Sequence, residues 1–354
     1  MALFHPGQPV RRGLGGVAAL YGLLVRLRLW GFRHGWLQSS RLPCRVISVG
    51  NLTIGGTGKT PIVLLLTEWL QAIGQRVAIL SRGYKRTGAG EQLLVSDGEK
   101  ILADQAAAGD EPFLMACRCP RAIVAVGADR VALGRWILGR FPVDCVILDD
   151  GFQHQALHRD VDLALLDATD ATGLDAMFPA GRLREPLSGL ARATAILITR
   201  ADDRHDVEAV HSRLRASHID TANCMEVLFN PSSLISVQSG EASPLNWCQG
   251  KTAWLVSAIG NSGAFRRSAL SLGLDIRGES VFQDHYQYRV GDIDTIKDEA
   301  KAVGAELVLT TEKDAAKLQA LLLPDDPWWA VRLQPEVVRG EMQLRQLVLG
   351  ERKQ

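Results

Sequence analysis

Residues 49–61 read Val49-Gly50-Asn51-Leu52-Thr53-Ile54-Gly55-Gly56-Thr57-Gly58-Lys59-Thr60-Pro61. The apolar run Arg45-Val46-Ile47-Ser48-Val49 precedes them and reads as a buried strand. Ile62-Val63-Leu64-Leu65-Leu66-Thr67-Glu68-Trp69-Leu70 follows, long and apolar enough for a helix. Strand, glycine-rich loop and helix is the setting of a phosphate-binding loop. Small residues let backbone N–H groups close around phosphate oxygens, and the helix N-terminus adds partial positive charge. Thr53, Ile54, Gly55, Gly56, Thr57 and Gly58 would supply that cradle, Lys59 a full charge, and Thr60 a hydroxyl for Mg²⁺. The general pattern has glycine where this chain has Thr53. The doubled Gly55-Gly56 offsets that, giving a GGxGK[ST] form of the loop.

Working outward, the next signal is Val146-Ile147-Leu148-Asp149-Asp150-Gly151-Phe152-Gln153-His154. An apolar strand tipped with Asp is the second half of a phosphate-loop site, because its carboxylate completes the Mg²⁺ shell. Asp149 and Asp150 are therefore candidates for metal and catalysis. Gly109-Asp110-Glu111-Pro112 allows a base at Asp110 that takes a proton from a substrate hydroxyl. The same residues make a good helix start, and on spacing alone that reading is favoured. Arg82 follows a strand at the ligand edge and can clamp phosphate. Arg184 and Glu185, in Pro179-Ala180-Gly181-Arg182-Leu183-Arg184-Glu185-Pro186, lie on a loop between strands, and His154 closes the aspartate motif. These four are candidates for phosphate or substrate contact, with surface salt links the alternative for the loop charges. His285, in Phe282-Gln283-Asp284-His285-Tyr286, could pair with a carboxylate across an interdomain cleft. Thr199-Arg200-Ala201-Asp202 faintly resembles a guanine-reading [NT]KxD motif, with Arg in place of Lys.

From residue 45 to about 200, strands at 46–49, 77–80, 122–126, 145–148, 163–166 and 195–198 alternate with helices such as 61–73 and 128–140. This rhythm predicts an α/β fold: a P-loop NTPase-like, mostly parallel sheet sandwiched by helices. Residues 84–98 read as a hairpin or flap beside the site. A second, smaller α/β domain follows. The expected division is a helical leader at 1–40, a P-loop domain at 41–224, an extended linker at 225–245 and the smaller domain at 246–354. Its last apolar piece, 328–333, could return to pair with 225–238.

The 354 residues suffice for two domains with their own cores. A net charge of +1 gives no sign of a nucleic-acid partner, but the charge is unevenly placed. No Asp or Glu precedes Glu68, while Arg11, Arg12, Arg26, Arg28, Arg33, Arg41, Arg45 and Lys59 all fall in that stretch. Residues 13–37 interleave apolar and aromatic residues with arginines. The uncharged run ends at Arg26, too short to span a bilayer, so the expectation is a helix lying in a membrane interface. The alternative is a terminal helix packed on its own domain. Six cysteines form no CxxC pair, which suits a reducing compartment.

Taken together, the chain resembles the tetraacyldisaccharide 4′-kinase (LpxK) family. The resemblance rests on the glycine loop, Ser81-Arg82-Gly83-Tyr84, Gly109-Asp110-Glu111-Pro112, Asp149–His154, Gly181–Pro186, Phe282–Tyr286 and Thr310-Thr311-Glu312-Lys313-Asp314. It implies ATP- and Mg²⁺-dependent phosphorylation of the 4′-hydroxyl of a tetraacylated glucosamine disaccharide 1-phosphate, the lipid A disaccharide, to give lipid IVA. It implies Asp110 as the catalytic base with His285 as its partner, and Lys59, Thr60, Asp149 and Asp150 at the Mg²⁺ and phosphate site. It also implies a peripheral enzyme on the anionic cytoplasmic face of the bacterial inner membrane. Two other readings use the same loop: a membrane-associated NTPase switch, and a kinase or ligase of a small metabolite.

Overall fold

A computed structural model describes residues 8–83 and 92–350. Residues 84–91 of the expected flap lie outside the described residues, as do the side chains of Arg11 and Arg12. In chain order the elements begin with α1 (Gln8–Arg33), β1 (Arg45–Asn51), α2 (Lys59–Ala72), β2 (Val77–Ser81) and β3 (Gln92–Asp97). Next come α3 (Gln105–Ala108), α4 (Asp110–Arg118), β4 (Ile123–Gly127), α5 (Arg130–Leu138), β5 (Cys145–Asp149) and β6 (Val161–Asp167). Then follow β7 (Ala195–Thr199), α6 (Arg204–Ala216), β8 (Cys224–Ser236), β9 (Ala242–Ser243), β10 (Thr252–Ser257) and α7 (Ser262–Ser271). The chain closes with β11 (Asp275–Val281), α8 (Val290–Ala302), β12 (Leu307–Thr311), α9 (Glu312–Leu318), β13 (Trp328–Arg339) and α10 (Glu341–Leu349).

Two compact units emerge. The larger holds the described residues up to Leu228 together with those from Pro335 onward; the smaller holds Phe229–Gln334. In the larger unit the strand order is β8-β7-β6-β1-β5-β2-β4-β3. All these pairings are parallel except β3 against β4, so the described part of the flap segment is an antiparallel edge strand. Alternation sends Ile47, Val49 and Ile147 to one face and Val46, Val146 and Leu148 to the other, and all six are buried. That double burial explains why the strands read as continuous apolar runs. Register places Val49 beside both Asp149 and Leu163. The tips of β1 and β5 therefore end side by side, where a parallel α/β sheet gathers its ligands.

In the smaller unit β11, β10, β12 and β13 are parallel neighbours in that order. Val256, Val308 and Ala330 are buried in one cluster, and Leu255, Leu309 and Val331 in another.

Two boundaries differ from the expected division. The stretch 225–245 begins as sheet, not linker: Cys224–Val227 pair with β7, and all four residues are buried. The unit boundary then falls within β8 itself. The end of the chain, expected in the smaller domain, belongs to the larger unit. Packing is the reason: Leu344 and Val348 of α10 are buried, and the Arg345 guanidinium lies 4.0 Å from the Trp69 ring centroid. Arg45 also donates to the carbonyls of Leu347 and Val348, satisfying the helix C-terminus.

Helix α1 lies within the helical leader expected at 1–40. Its stretch Leu14–Arg33 is long and apolar enough to cross a membrane by length and composition, because the helix runs on past Arg26. Ala18 and Gly22 face the protein, whereas Val17, Leu20, Leu23, Leu24, Leu27 and Trp30 are exposed.

Truncation of Leu344 to Ala is expected to destabilise the larger unit by about 2–5 kcal/mol. Urea unfolding measures this, and an unchanged midpoint would mean that α10 contributes nothing to that core.

Candidate phosphoryl-transfer site

The glycine loop leaves β1 and enters α2 at Lys59 with Gly58 in the left-handed region, φ 83°. Its shape is enforced from outside. The Ile54 N–H donates to the Arg182 carbonyl at 2.8 Å, and the Arg184 N–H donates to the Leu52 carbonyl at 2.7 Å. Arg182 Nε donates to the Ile54 carbonyl at 3.0 Å while its other end pairs with Asp170 at 2.9 Å. A Cβ on Gly55 would sit 2.1 Å from that guanidinium, and Gly55 has φ 128°. Thr199 Oγ1 donates to the Thr57 carbonyl at 2.8 Å, and Arg200 donates to the Gly56 carbonyl at 3.0 Å while pairing with Asp167. The Thr199-Arg200 segment thus buttresses the loop backbone, which corrects the guanine-reading expectation.

Asp149 and Asp150 face different surroundings. Asp149 is 1% exposed. Its Oδ2 accepts from Ser81 Oγ at 2.7 Å, and its Oδ1 is buried with no partner among the described residues. Burial, reinforced by the charge of Glu111, raises its pKa well above the usual carboxylate range. Asp150 has φ 53° and turns toward the cations. Lys59 Nζ lies 3.6 Å from its Oδ1, and Arg184 Nη1 donates to both its oxygens at 2.9 Å. Burial works against its charge, but Lys59 and Arg184 outweigh that and hold Asp150 ionised far below the ordinary range.

Asp110 is the first residue of α4, after Gly109 at φ 90°, and is 5% exposed. Gln105 Nε2 donates to its Oδ1. A helix start and a buried, hydrogen-bonded carboxylate therefore coexist at this residue. Arg82 is exposed just past β2, near enough to Arg130 for their charges to interact.

The loop glutamate has a different task from the one expected. Glu185 is 1% exposed and forms a two-pronged pair with Arg192, both contacts 2.7 Å. It also accepts from Gln153 Nε2 at 2.8 Å, and the same amide reaches the Asn51 carbonyl at 2.9 Å. Its carboxylate is occupied in fixing the segment after Asp150. His154 lies on that segment. Burial, then the charge of Arg130, lower its pKa to about 4, so the ring is neutral at physiological pH.

Arg130 was not singled out by the sequence reading. It opens α5 at the tip of β4, is 3% exposed, and feels the charges of both Asp149 and Asp150. The sequence shows only an arginine just past a strand, in Gly127-Ala128-Asp129-Arg130; its burial beside the aspartates is seen only in the structure. Glu111 was passed over for the same reason: only the structure shows its charge acting on Asp149.

His285 lies in the smaller unit, at φ 62°. There the two motifs of that unit meet: Lys313 Nζ lies 3.2 Å from Asp284 and 3.3 Å from His285 Nε2. Asp314 fixes the turn beneath by accepting from the Ala258 N–H at 2.9 Å and from Thr311 Oγ1 at 2.8 Å. Among the described residues no group of three or more His, Cys, Asp or Glu converges on a point. A hard cation here would rely on a few carboxylate and hydroxyl oxygens plus nucleotide phosphates, the usual habit of Mg²⁺.

Comparisons with known proteins point to one family. The family model described as tetraacyldisaccharide-1-P 4′-kinase matches residues 10–352. A tetraacyldisaccharide 4′-kinase of Geobacter sulfurreducens is 38% identical over 320 residues, covering 90% of this chain and 87% of that protein. One from Syntrophus aciditrophicus is 39% identical over 317 residues, covering 86% and 84%. The crystal structure of LpxK from Aquifex aeolicus in complex with ATP superposes with a TM-score of 0.77 at 32% identity, covering 96% of this chain and 99% of that one.

Substituting Gly55 by Ala is expected to weaken nucleotide binding about tenfold, since a strained φ and a displaced Arg182 together cost roughly 1–3 kcal/mol. Calorimetric titration with a non-hydrolysable ATP analogue reads it, and parental affinity would contradict the clamp.

Proposed function

The chain belongs to the tetraacyldisaccharide-1-P 4′-kinase family, and on that premise we propose that it transfers the γ-phosphate of ATP to the 4′-hydroxyl of a tetraacyl glucosamine disaccharide 1-phosphate. The observation that carries this reading is the clamped glycine loop, whose Lys59 faces Asp150 at the tip of β5 beside buried Asp149.

A sugar hydroxyl is a poor nucleophile at neutral pH. Asp110 accepts its proton as the bond to phosphorus forms, an assistance worth roughly 10²- to 10⁴-fold. Lys59 and the loop N–H groups stabilise charge on the transferring phosphoryl oxygens, with Arg82, Arg130 and Arg184 adding to the positive field. Asp150 keeps Lys59 and Arg184 in place. The resemblance assigns His285 a role in the reaction. The residues fit Mg²⁺: the orphaned Oδ1 of Asp149 is an oxygen donor buried without a proton partner, and a divalent ion would favour its ionised form. Thr60, Asp149 and Asp150 are the residues that would hold it. When bound, Mg²⁺ neutralises charge on the β- and γ-phosphates.

The acceptor's acyl chains stay in a bilayer, so the enzyme works at its surface. The exposed apolar face of α1, with Trp36 and Leu37, supports seating in the membrane interface. Arg26 and Arg33 would meet anionic headgroups, each worth about 1 kcal/mol near the surface. On this reading the protein is peripheral, on the cytoplasmic face of the bacterial inner membrane.

Asp110→Asn is expected to lower kcat at least roughly 10²-fold with ATP binding retained. Near-parental kcat would remove Asp110 as the base. Replacing exposed Leu23 and Leu27 together by Asp should abolish co-flotation with anionic vesicles, and unchanged flotation would contradict the interfacial helix.

A further inference from the structure

Helix α1 is bonded to the site as well as packed beside it. Tyr21 Oη donates to the Arg184 carbonyl at 2.9 Å. Arg28 Nη2 donates to the Gln153 carbonyl at 3.2 Å. Both acceptors lie next to the chemistry. Arg184 carries the guanidinium that grips Asp150, and Gln153 follows Asp150 by three residues and ties Asn51 to Glu185. Arg184 is thereby held at three points: its carbonyl by α1, its N–H by the Leu52 carbonyl of the glycine loop, and its side chain by Asp150.

The apolar contacts follow the same route. Tyr21 meets the Phe178 ring edge-on at 6.1 Å, and the space beside Gly22 is filled by Met177. Met177 and Phe178 start the turn that Leu183 closes, and Leu183 bridges to Thr53 of the glycine loop. The chain of contact therefore runs from α1 through residues 177–184 to the phosphate-binding backbone. A helix serving only as an anchor needs greasy surface and flanking charge. It does not need a hydroxyl aimed at the main chain of the arginine that sets Asp150.

We propose that α1 is a positioning element of the phosphoryl-transfer site. Tyr21 and Arg28 fix the main chain that carries Arg184 and follows Asp150, so the seating of α1 sets turnover as well as residence at the lipid surface. The inference rests on the assignment of Arg184 and Asp150 to the phosphate side of the site. It makes Tyr21 a positioning residue, acting through Arg184 and touching no substrate.

The test uses the full-length chain with ATP and a tetraacyl disaccharide 1-phosphate dispersed in nonionic detergent micelles, so that vesicle binding does not limit the rate. Tyr21→Phe removes one oxygen, and Arg28→Gln alters an exposed side chain. Each should lower kcat roughly 3- to 10-fold, the worth of one hydrogen bond. The KM for ATP, the thermal midpoint and vesicle flotation should stay at parental values. Arg184→Lys should be slow by itself, and adding Tyr21→Phe to it should cost little more, because the group being positioned is already gone. Parental kcat in both α1 variants, or full additivity of Tyr21→Phe with Arg184→Lys, would overturn the proposal. An Arg184→Lys enzyme as fast as the parent would instead overturn the site assignment beneath it.

Discussion

The structure depends on one electrostatic arrangement: Asp150, ionised between Lys59 of the glycine loop and Arg184 of a distant loop. A carboxylate at the end of a buried strand is costly unless paired. Here the pairing cations come from two segments distant in sequence, the glycine loop and the loop that carries Arg184. The backbone pays for this position with a positive φ at Asp150, followed at once by Gly151, where a Cβ would meet Leu148 and the Ser48 hydroxyl at 2.7 Å. That sharp turn separates the environments of two adjacent aspartates. Asp149 points into the sheet edge with a raised pKa, and Asp150 points at the cations with a lowered one. Two carboxylates with opposite shifts can do different work in one site.

Around this pair the loop is clamped by side chains that bond to its carbonyls. Arg182 holds the Ile54 carbonyl, Arg200 the Gly56 carbonyl and Thr199 the Thr57 carbonyl. Backbone N–H groups can all point inward toward an anion only if their carbonyls find partners outward. This gives the Gly181–Pro186 motif a physical meaning that a phosphate-contact reading alone lacks: Arg182 braces the loop, Arg184 grips Asp150, and Glu185 locks Arg192 and Gln153.

Much of the fold was legible in the sequence, as was the placing of the glycine loop beside the aspartate-tipped strand. The strands buried on both faces are apolar throughout, and a glycine loop between strand and helix has few other meanings. What escaped notice depends on contacts distant in sequence. The C-terminal helix joins the larger unit through buried Leu344 and Val348, through Arg345 on Trp69 and through Arg45 on its last carbonyls, and no local pattern reports contacts so distant in sequence. Arg130 sits in a four-residue stretch without a distinctive spacing, and becomes visible only when β4 is placed beside the aspartates. Thr199-Arg200 reads like a degenerate base-binding motif, but its partners are loop carbonyls. The leader offered two readings from its composition, and the structure supplies the material for both: one face is packed and bonded to the body, the other is apolar and exposed.

The central claim is that the clamped loop serves a lipid acceptor. Its most direct test follows label from the γ-phosphate of ATP during incubation with a tetraacyl disaccharide 1-phosphate in micelles. The expected result is labelled lipid bearing a new phosphate monoester at the 4′ position, formed with ATP consumption that depends on the lipid. Release of labelled inorganic phosphate at the same rate with and without lipid, with no label in the lipid, would contradict the account.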